Sequence, residues 1–333
     1  MTDLRVAAVG CGPHSTRRIY PQLSKIIDID LVALCDRNLE KATRFSKKFG
    51  FERWYTDHQC MIKKEALDAV LIIGPPAMHF SVAMDCLEAG IHVFVEKPIA
   101  PTAEQCLELA EKASERNCSG QVGHFLRHSA GNLLAKSILM SEDFGDPITF
   151  DGYYHTNGPW EPRKQWGLES IFETYMLVQG IHLLDLAHFI SGDILEMSAH
   201  KSLTAEGRPV LSGSVRFANG SIGSLSFNAS APNWSAGFKV VSNKLNVLIV
   251  ENGMNVRYEK MDGWGASYRD SDSTMALVSE NGSGYNNTDG FGYLGELKSF
   301  FDSVRNNAVA SPTFFDSYKS MKDAQRLLSV AST

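Results

Sequence analysis

Residues 92–98 read HVFVEKP, an apolar run with the composition of a buried strand that ends on Glu96, Lys97 and Pro98. A free lysine has a pKa of about 10.4, so at a strand end it is ordinarily a solvated cation. Buried beside another positive group, the same amine is pushed toward neutrality and becomes a usable proton acceptor or donor. Two other stretches set turn residues at strand ends. VAAVGCGPHS (6–15) places Gly10, Cys11, Gly12, Pro13, His14 and Ser15 after a strand and at the mouth of a helix. Glycines there let the backbone turn sharply and let a pyrophosphate approach the helix N-terminus, whose free N–H groups and dipole favour an anion. Ser15 replaces the third glycine of GxGxxG and is small enough for close helix–strand packing. Asp36 ends the next strand, about 20 residues on, where a carboxylate can accept hydrogen bonds from both ribose hydroxyls of an adenosine. That favours NAD. Arg37, able to stack on adenine or pair with a 2′-phosphate, leaves NADP open. IIGPPAMH (72–79) brings Gly74, Pro75 and His79 to the same sheet edge as a stiff wall for a dinucleotide. His79 reads equally as a cofactor contact or as an ordinary helix-start residue.

A second group lies in the other half of the chain. In VQGIHLLD (178–185), helical spacing sets Val178, His182 and Asp185 on one face. His182 is read as a catalytic or substrate-binding imidazole, with a satisfied core histidine as the alternative. Glu173, Tyr175 and Gln179 are near in sequence, and Gln179 is a candidate substrate contact. GYYHTNGPWEPRKQW (152–166) clusters Tyr153, His155, Trp160, Arg163 and Trp166. Aromatic faces beside planar donors can hold a small polar ligand, so Arg163 and Trp166 are taken as substrate candidates, although core packing and an interface role explain most of the cluster equally well.

The elements needed to position these groups follow from periodicity. Up to about residue 120, apolar β-branched runs at 4–10, 31–36, 68–74 and 92–98 alternate with amphipathic segments through 23 and near 39–49, 78–89 and 102–117. That pattern specifies a parallel sheet covered on both faces, a doubly wound α/β domain. After a further strand at 119–125 and a helix near 129–140, alternating stretches at 147–155, 194–204, 209–217, 221–229, 236–242 and 245–251 predict an antiparallel sheet. ANGS at 218–221 reads as a hairpin turn. A helix is expected over 172–192 and others at 291–305 and 316–330, while 262–290 reads as a mobile surface loop.

Composition bounds the rest. The chain has 333 residues, 44% apolar and 21% charged, enough for two folded domains. Its formal net charge of −6 without a basic run argues against nucleic acid. No leader and no apolar stretch of about 18 residues is evident, so a cytoplasmic protein away from membranes is expected. The six cysteines, all within the first 118 residues and too widely spaced for a CxxC pair, read as reduced small hydrophobes. No metal site is expected.

Taken together, EKP at 96–98, GCGPHS, Asp36, GPPAMH, Arg127 in GHFLRH and the GIHLLD helix resemble the Gfo/Idh/MocA family, glucose-fructose oxidoreductase, inositol dehydrogenase and relatives. The resemblance covers nearly the whole chain, and EKP is its most specific part. It implies an N-terminal Rossmann domain, set here at 1–122, and a C-terminal α/β domain with a large, mostly antiparallel open sheet, 123–333, whose last helices are free to pack back on the first. It also implies a homodimer or homotetramer through that sheet, a Lys97 that touches substrate hydroxyl and nicotinamide, a frequently cis Lys97–Pro98 bond, and Glu96 and Arg127 among the cofactor contacts. The family's DxGxHxxD helix is matched at Gly180, His182 and Asp185, but Val178 stands at its first acid. Glu173, where relatives commonly have a glycine-rich turn facing substrate, is the best substitute acid, and Asp185 is expected to hold His182 or a helix end. The implied activity is NAD(P)-dependent hydride transfer between nicotinamide and a secondary alcohol or ketone of a sugar, cyclitol or nucleotide-linked sugar, with Lys97 and His182 handling the proton. The rivals are a non-catalytic NAD-binding sensor, encouraged by Val178, and an enzyme that uses NAD transiently for sugar elimination or glycoside cleavage.

Overall fold

The structure, a computed structural model, describes residues 3–157, 166–168, 170–260, 274–277 and 291–332. The chain divides into two compact units, Met1–Phe125 with Gly292–Met321 and Leu126–Phe291 with Lys322–Thr333. This division differs from a single cut after residue 122 in placing Gly292–Met321 with the N-terminal sheet.

In the first unit, strands β1 (Leu4–Val9), β2 (Ile29–Cys35), β3 (Arg53–Tyr55), β4 (Ala69–Ile72), β5 (His92–Glu96) and β6 (Gly120–Gly123) form one sheet in the order 3-2-1-4-5-6. Every neighbouring pair is parallel. The order reverses between β1 and β4, the switch point at which open α/β sheets bind ligands. The chain leaves β1 through a π-helical turn at Ser15–Ile19 into α1 (Tyr20–Leu23). Helix α2 (Leu39–Phe49) starts where Asn38 accepts the Lys41 N–H and stops at Gly50, φ 84°. Helix α3 (His58–Lys64) is capped by Asp57, α4 (Pro76–Glu88) opens on its proline, and α5 (Ala103–Glu115) is capped by Thr102. Strand β3 and helix α3 were not anticipated, because an edge strand of three residues with two exposed leaves no period in the sequence.

In the second unit, α6 (Ala130–Leu139) precedes β7 (Pro147–Asn157), then α7 (Ile171–Tyr175), a π-helical turn (Met176–Gly180) and α8 (Ile181–Ser191) run as one rod. There follow β8 (Ile194–Leu203), β9 (Pro209–Phe217), β10 (Ile222–Asn228), β11 (Ser230–Ser242), β12 (Val247–Glu251), β13 (Asn255–Glu259) and β14 (Thr274–Leu277). With β15 (Ala331–Ser332) they make a nine-stranded sheet, parallel at β7–β10 and β8–β15 and antiparallel elsewhere. The hairpin at 218–221 forms as expected, with Gly220 at φ 86°. One part of the expected loop at 262–290 is strand instead: β14 pairs with β13. The rest of that stretch lies outside the described residues. In β9 the residues alternate strictly, Leu211, Val215 and Phe217 inward and Ser212, Ser214 and Arg216 outward, as one buried face requires.

Of the closing helices, α9 (Tyr293–Arg305) packs Leu297, Phe300 and Phe301 into the first unit's core with Val6, Leu34, Leu71 and Phe94. Each such phenylalanine contributes about 1.5–3 kcal/mol by leaving water. Helix α10 (Phe314–Val330) starts beside β6, where Phe314 lies against Gly120 and Pro312 accepts the Val122 N–H. Its later residues belong to the second unit, where Asp323 meets His188 and Arg326 reaches the Ile194 carbonyl.

Candidate functional site

The glycine turn after β1 is built for close approach. Gly10 adopts φ 102°, and any side chain there would collide with the Ile73 carbonyl on β4. Tyr20 and Cys35 hold the turn, the phenol donating to Gly10 O at 2.6 Å and Gly10 N donating to Cys35 O at 2.8 Å. At Gly12 an added Cβ would meet nothing within 4 Å, so space opens in front of the turn. Ser15 is buried, its hydroxyl donating to Gly12 O, which accounts for a small residue at the third position. A hollow of ≈ 480 Å³ lies here, lined by Cys11, Gly12, Arg17, Lys41, Arg44 and Lys48. Donor backbone, open space and cations fit the pyrophosphate and ribose of a dinucleotide. Burial, then the Asp36 charge, pushes the Cys11 thiol up to about 12, so it serves packing.

Asp36 is placed as expected but is also structural. Its Oδ2 accepts the Cys11 N–H at 2.7 Å and its Oδ1 the Asn38 N–H at 2.9 Å. Each oxygen keeps a lone pair for a ribose hydroxyl. Arg37 and Pro13 are exposed beside it.

At the end of β5 the residues form a connected set. Glu96, 4% exposed, accepts from His14 Nε2 at 2.9 Å and from the Lys97 N–H at 3.1 Å. A Cβ on Gly123 of β6 would overlap the Glu96 carboxylate, so the glycine makes its room. Burial raises the Glu96 pKa, but His14, Lys97 and His79 outweigh it and hold the carboxyl below its usual range. Burial pushes the half-buried Lys97 ammonium down, opposed by the Glu96 charge. The Lys97–Pro98 bond is cis.

Two residues expected at the cofactor have other partners here. His79 is 1% exposed, and Gly74 N donates to its Nε2 at 2.6 Å. Nε2 is therefore the acceptor, and the proton sits on Nδ1, which donates to Pro98 O at 2.8 Å. Both ring nitrogens are thus committed to backbone, and His79 clasps the Gly74 turn to the Lys97–Pro98 segment. His14 turns its Nε2 to Glu96 and its ring edge to Tyr293, whose ring stacks on Phe125. Pro75 is the exposed residue preceding α4.

In the second unit, Arg127 grips Asp185 through two guanidinium nitrogens, at 2.9 and 2.7 Å, and lies over the Phe189 ring. Arg127, expected among the cofactor contacts, is thus tied into a buried ion pair with α8, and Asp185, expected to hold His182 or a helix end, has Arg127 as its partner. His182 is 4% exposed and stacks on Tyr154 at 5.6 Å. The Tyr154 hydroxyl donates to Gln179 Oε1 at 3.0 Å. A π-helical turn at Met176–Gly180 precedes α8, so the uniform α spacing from which Val178, His182 and Asp185 were set on one face does not hold through Val178. Glu173 is exposed in the first turn of α7, three residues after the capping Ser170. That is the sequence position of a capping-box acid, and the Glu173 N–H donates to the Ser170 hydroxyl at 3.4 Å. Trp166 is exposed at φ 58°, a strained backbone for an aromatic residue. Arg163 and Trp160 lie outside the described residues.

Comparison with known proteins gives the relationship. The model described as "Oxidoreductase family, NAD-binding Rossmann fold" matches residues 4–124, and the GFO/IDH/MocA C-terminal domain model matches 133–247. A dTDP-3,4-didehydro-2,6-dideoxy-alpha-D-glucose 3-reductase from Saccharopolyspora spinosa is 25% identical over 64% of this chain and 64% of its own length. A scyllo-inositol 2-dehydrogenase (NAD(+)) from Bacillus subtilis is 27% identical over 60% of this chain and 57% of its own length. The chain thus spans less than two-thirds of these relatives. A solved dehydrogenase from Chromobacterium violaceum superposes with a TM-score of 0.89 at 24% identity, covering 99% of this chain and 96% of that one. With the family's two domain models matched in succession along it, the chain belongs to the GFO/IDH/MocA oxidoreductases.

Proposed function

We propose that this protein is an NAD(P)-dependent oxidoreductase, NAD being preferred, that transfers a hydride between nicotinamide and a secondary alcohol or ketone of a sugar, cyclitol or nucleotide-linked sugar. The observation that carries the reading is Lys97: an amine whose ammonium is disfavoured by burial, at the carboxyl end of β5 and on the same sheet edge as the Gly10–Gly12 turn. The names of the matched relatives, a sugar 3-reductase and an inositol dehydrogenase, support that substrate class.

Gly10, Gly12 and the following helix would hold the pyrophosphate, and Asp36 the adenosine ribose. A bound nicotinamide supplies the two-electron acceptor for the carbinol carbon. Neutral Lys97 takes the hydroxyl proton as the carbonyl forms, and in the reverse direction the ammonium returns it. Glu96 offsets the positive charge that Lys97 then carries. His182, and Gln179 through its bond to Tyr154, are assigned to substrate oxygens in the second unit.

A homodimer or homotetramer through the nine-stranded sheet is supported by the large apolar side chains that its strands leave exposed, Ile148, Leu195, Leu203 and Ile222. A cytoplasmic setting is supported by six free cysteines, and among the described residues no helix is long and apolar enough to cross a membrane.

The test is NADH fluorescence during a screen of polyols and keto-sugars, with Lys97→Ala in parallel. The variant should lose turnover by about 100-fold or more while still binding NADH. Undiminished turnover without the lysine refutes the assignment.

A further inference from the structure

The buried site behind Glu96 contains a second carboxyl group that none of the roles above uses. Glu296, in the first turn of α9, is 0% exposed, and neither carboxyl oxygen has a hydrogen-bond partner. Its placement follows from three registers. Phe94 and Glu96 are two apart on β5 and share a face, and Phe94 packs against Phe300 of α9 at 6.0 Å. Glu296 and Phe300 are four apart on α9 and share a face in turn. On β6, Gly123 lies beneath the Glu96 carboxylate, while Gln121, on the same face two residues earlier, donates to the Glu296 backbone carbonyl at 2.7 Å. Both carboxyl groups therefore occupy the space between β5, β6 and α9.

Resting on the oxidoreductase reading, we infer that Glu96 and Glu296 form a carboxyl pair holding one proton, and that this proton keeps Glu96 the single anion facing Lys97. Two carboxylates at one dry site cannot both ionise. Glu96 has His14 at 2.9 Å, the Lys97 N–H and the Lys97 charge to stabilise its anion. Glu296 has only burial and the repulsion of Glu96, both of which push its pKa well up. The groups facing the pair are His14 before the first helix, His79 on α4, Lys97 after β5 and neutral Gln121 on β6. A second anion here would favour the ammonium and block Lys97 from accepting a proton. Glu296 is thus a positioning residue, acting through Glu96.

The experiment is infrared spectroscopy of the purified apoprotein at pH 7, with and without ¹³C-glutamate, on wild type and Glu296→Gln. The wild type should show the carbonyl stretch of a protonated, buried carboxylic acid that shifts on glutamate labelling and is missing in the variant. Among the described residues Glu96 and Glu296 are the only buried glutamates, so the labelled wild type answers even if the variant fails to fold. The acid limb of kcat/KM gives the second readout. Glu296→Gln should leave it in place, because an amide and a neutral acid carry the same charge, whereas Glu96→Gln should move it about one pH unit or more lower. Absence of the band, or a limb lowered by Glu296→Gln, overturns the pair. Absence of turnover on every polyol with the band present instead overturns the oxidoreductase reading and leaves the pair intact.

Discussion

His79 Nδ1 donates a hydrogen bond to the Pro98 carbonyl oxygen at 2.8 Å, one residue beyond Lys97. Because Gly74 N–H donates to the other ring nitrogen, the clasp exists only with a neutral imidazole. Burial holds the folded pKa at about 4, below the ordinary value of about 6.5. Between those pH values the unfolded chain binds a proton that the folded chain does not, so stability is full above about 6.5 and falls as pH drops toward 4, by up to about 3 kcal/mol. Urea midpoints at pH 7.5 and 4.5 check this against His79→Gln. The wild type should lose more stability on acidification than the variant; equal losses would remove His79 as the titrating group.

Lys97 acts as a base only if it can become neutral. Lys97→Arg keeps the positive charge and much of the volume, but a guanidinium does not deprotonate in a protein. Alcohol oxidation should therefore drop by about 100-fold or more in Lys97→Arg, as in Lys97→Ala. Dinucleotide affinity, measured by NADH fluorescence, should change far less. An arginine variant with near-normal turnover would recast Lys97 as a charge that positions substrate.

On the proposed reading, Asp36 selects ribose hydroxyls over a 2′-phosphate. Its carboxylate would repel a phosphate, while Arg17, Lys41, Arg44 and Lys48 line the neighbouring hollow and would attract one. Asp36→Ala should lower the ratio of NAD to NADP affinity by about tenfold or more, read by titration with both reduced dinucleotides. Because Asp36 also accepts the Cys11 and Asn38 N–H groups, the variant should lose about 1–3 kcal/mol of stability as well. An unchanged preference would place the adenosine elsewhere.

The parallel sheet and its glycine turn were legible because both depend on local signals: apolar runs buried on two faces, and residues such as Gly10 whose φ only glycine readily adopts. Lys97 was legible for the same reason, as a cation ending such a run. What side chains do after folding was less so. His14, His79 and Arg127 were read by proximity to motifs, yet their partners Glu96, Pro98 and Asp185 are 82, 19 and 58 residues away. Glu296 lies 200 positions from Glu96, in a helix whose pattern marks it only as amphipathic. The π-helical turn at Met176–Gly180 had no composition cue, and it interrupts the uniform spacing from which Val178 was placed.

Arg127 and Asp185 are both buried, and removing one leaves the other as an uncompensated charge. Asp185→Leu alone should cost about 3–5 kcal/mol, read as a shift of the urea midpoint. The double variant Arg127→Met with Asp185→Leu should recover most of that loss, since two apolar side chains replace the pair. The same grip orients α8, on which His182 precedes Asp185 by one turn and stacks on Tyr154. The stable double variant should therefore show raised KM or lowered kcat, separating orientation of His182 from stability. A double variant as unstable as Asp185→Leu, or one with unaltered kinetics, would show that the ion pair neither balances its own burial nor sets the imidazole.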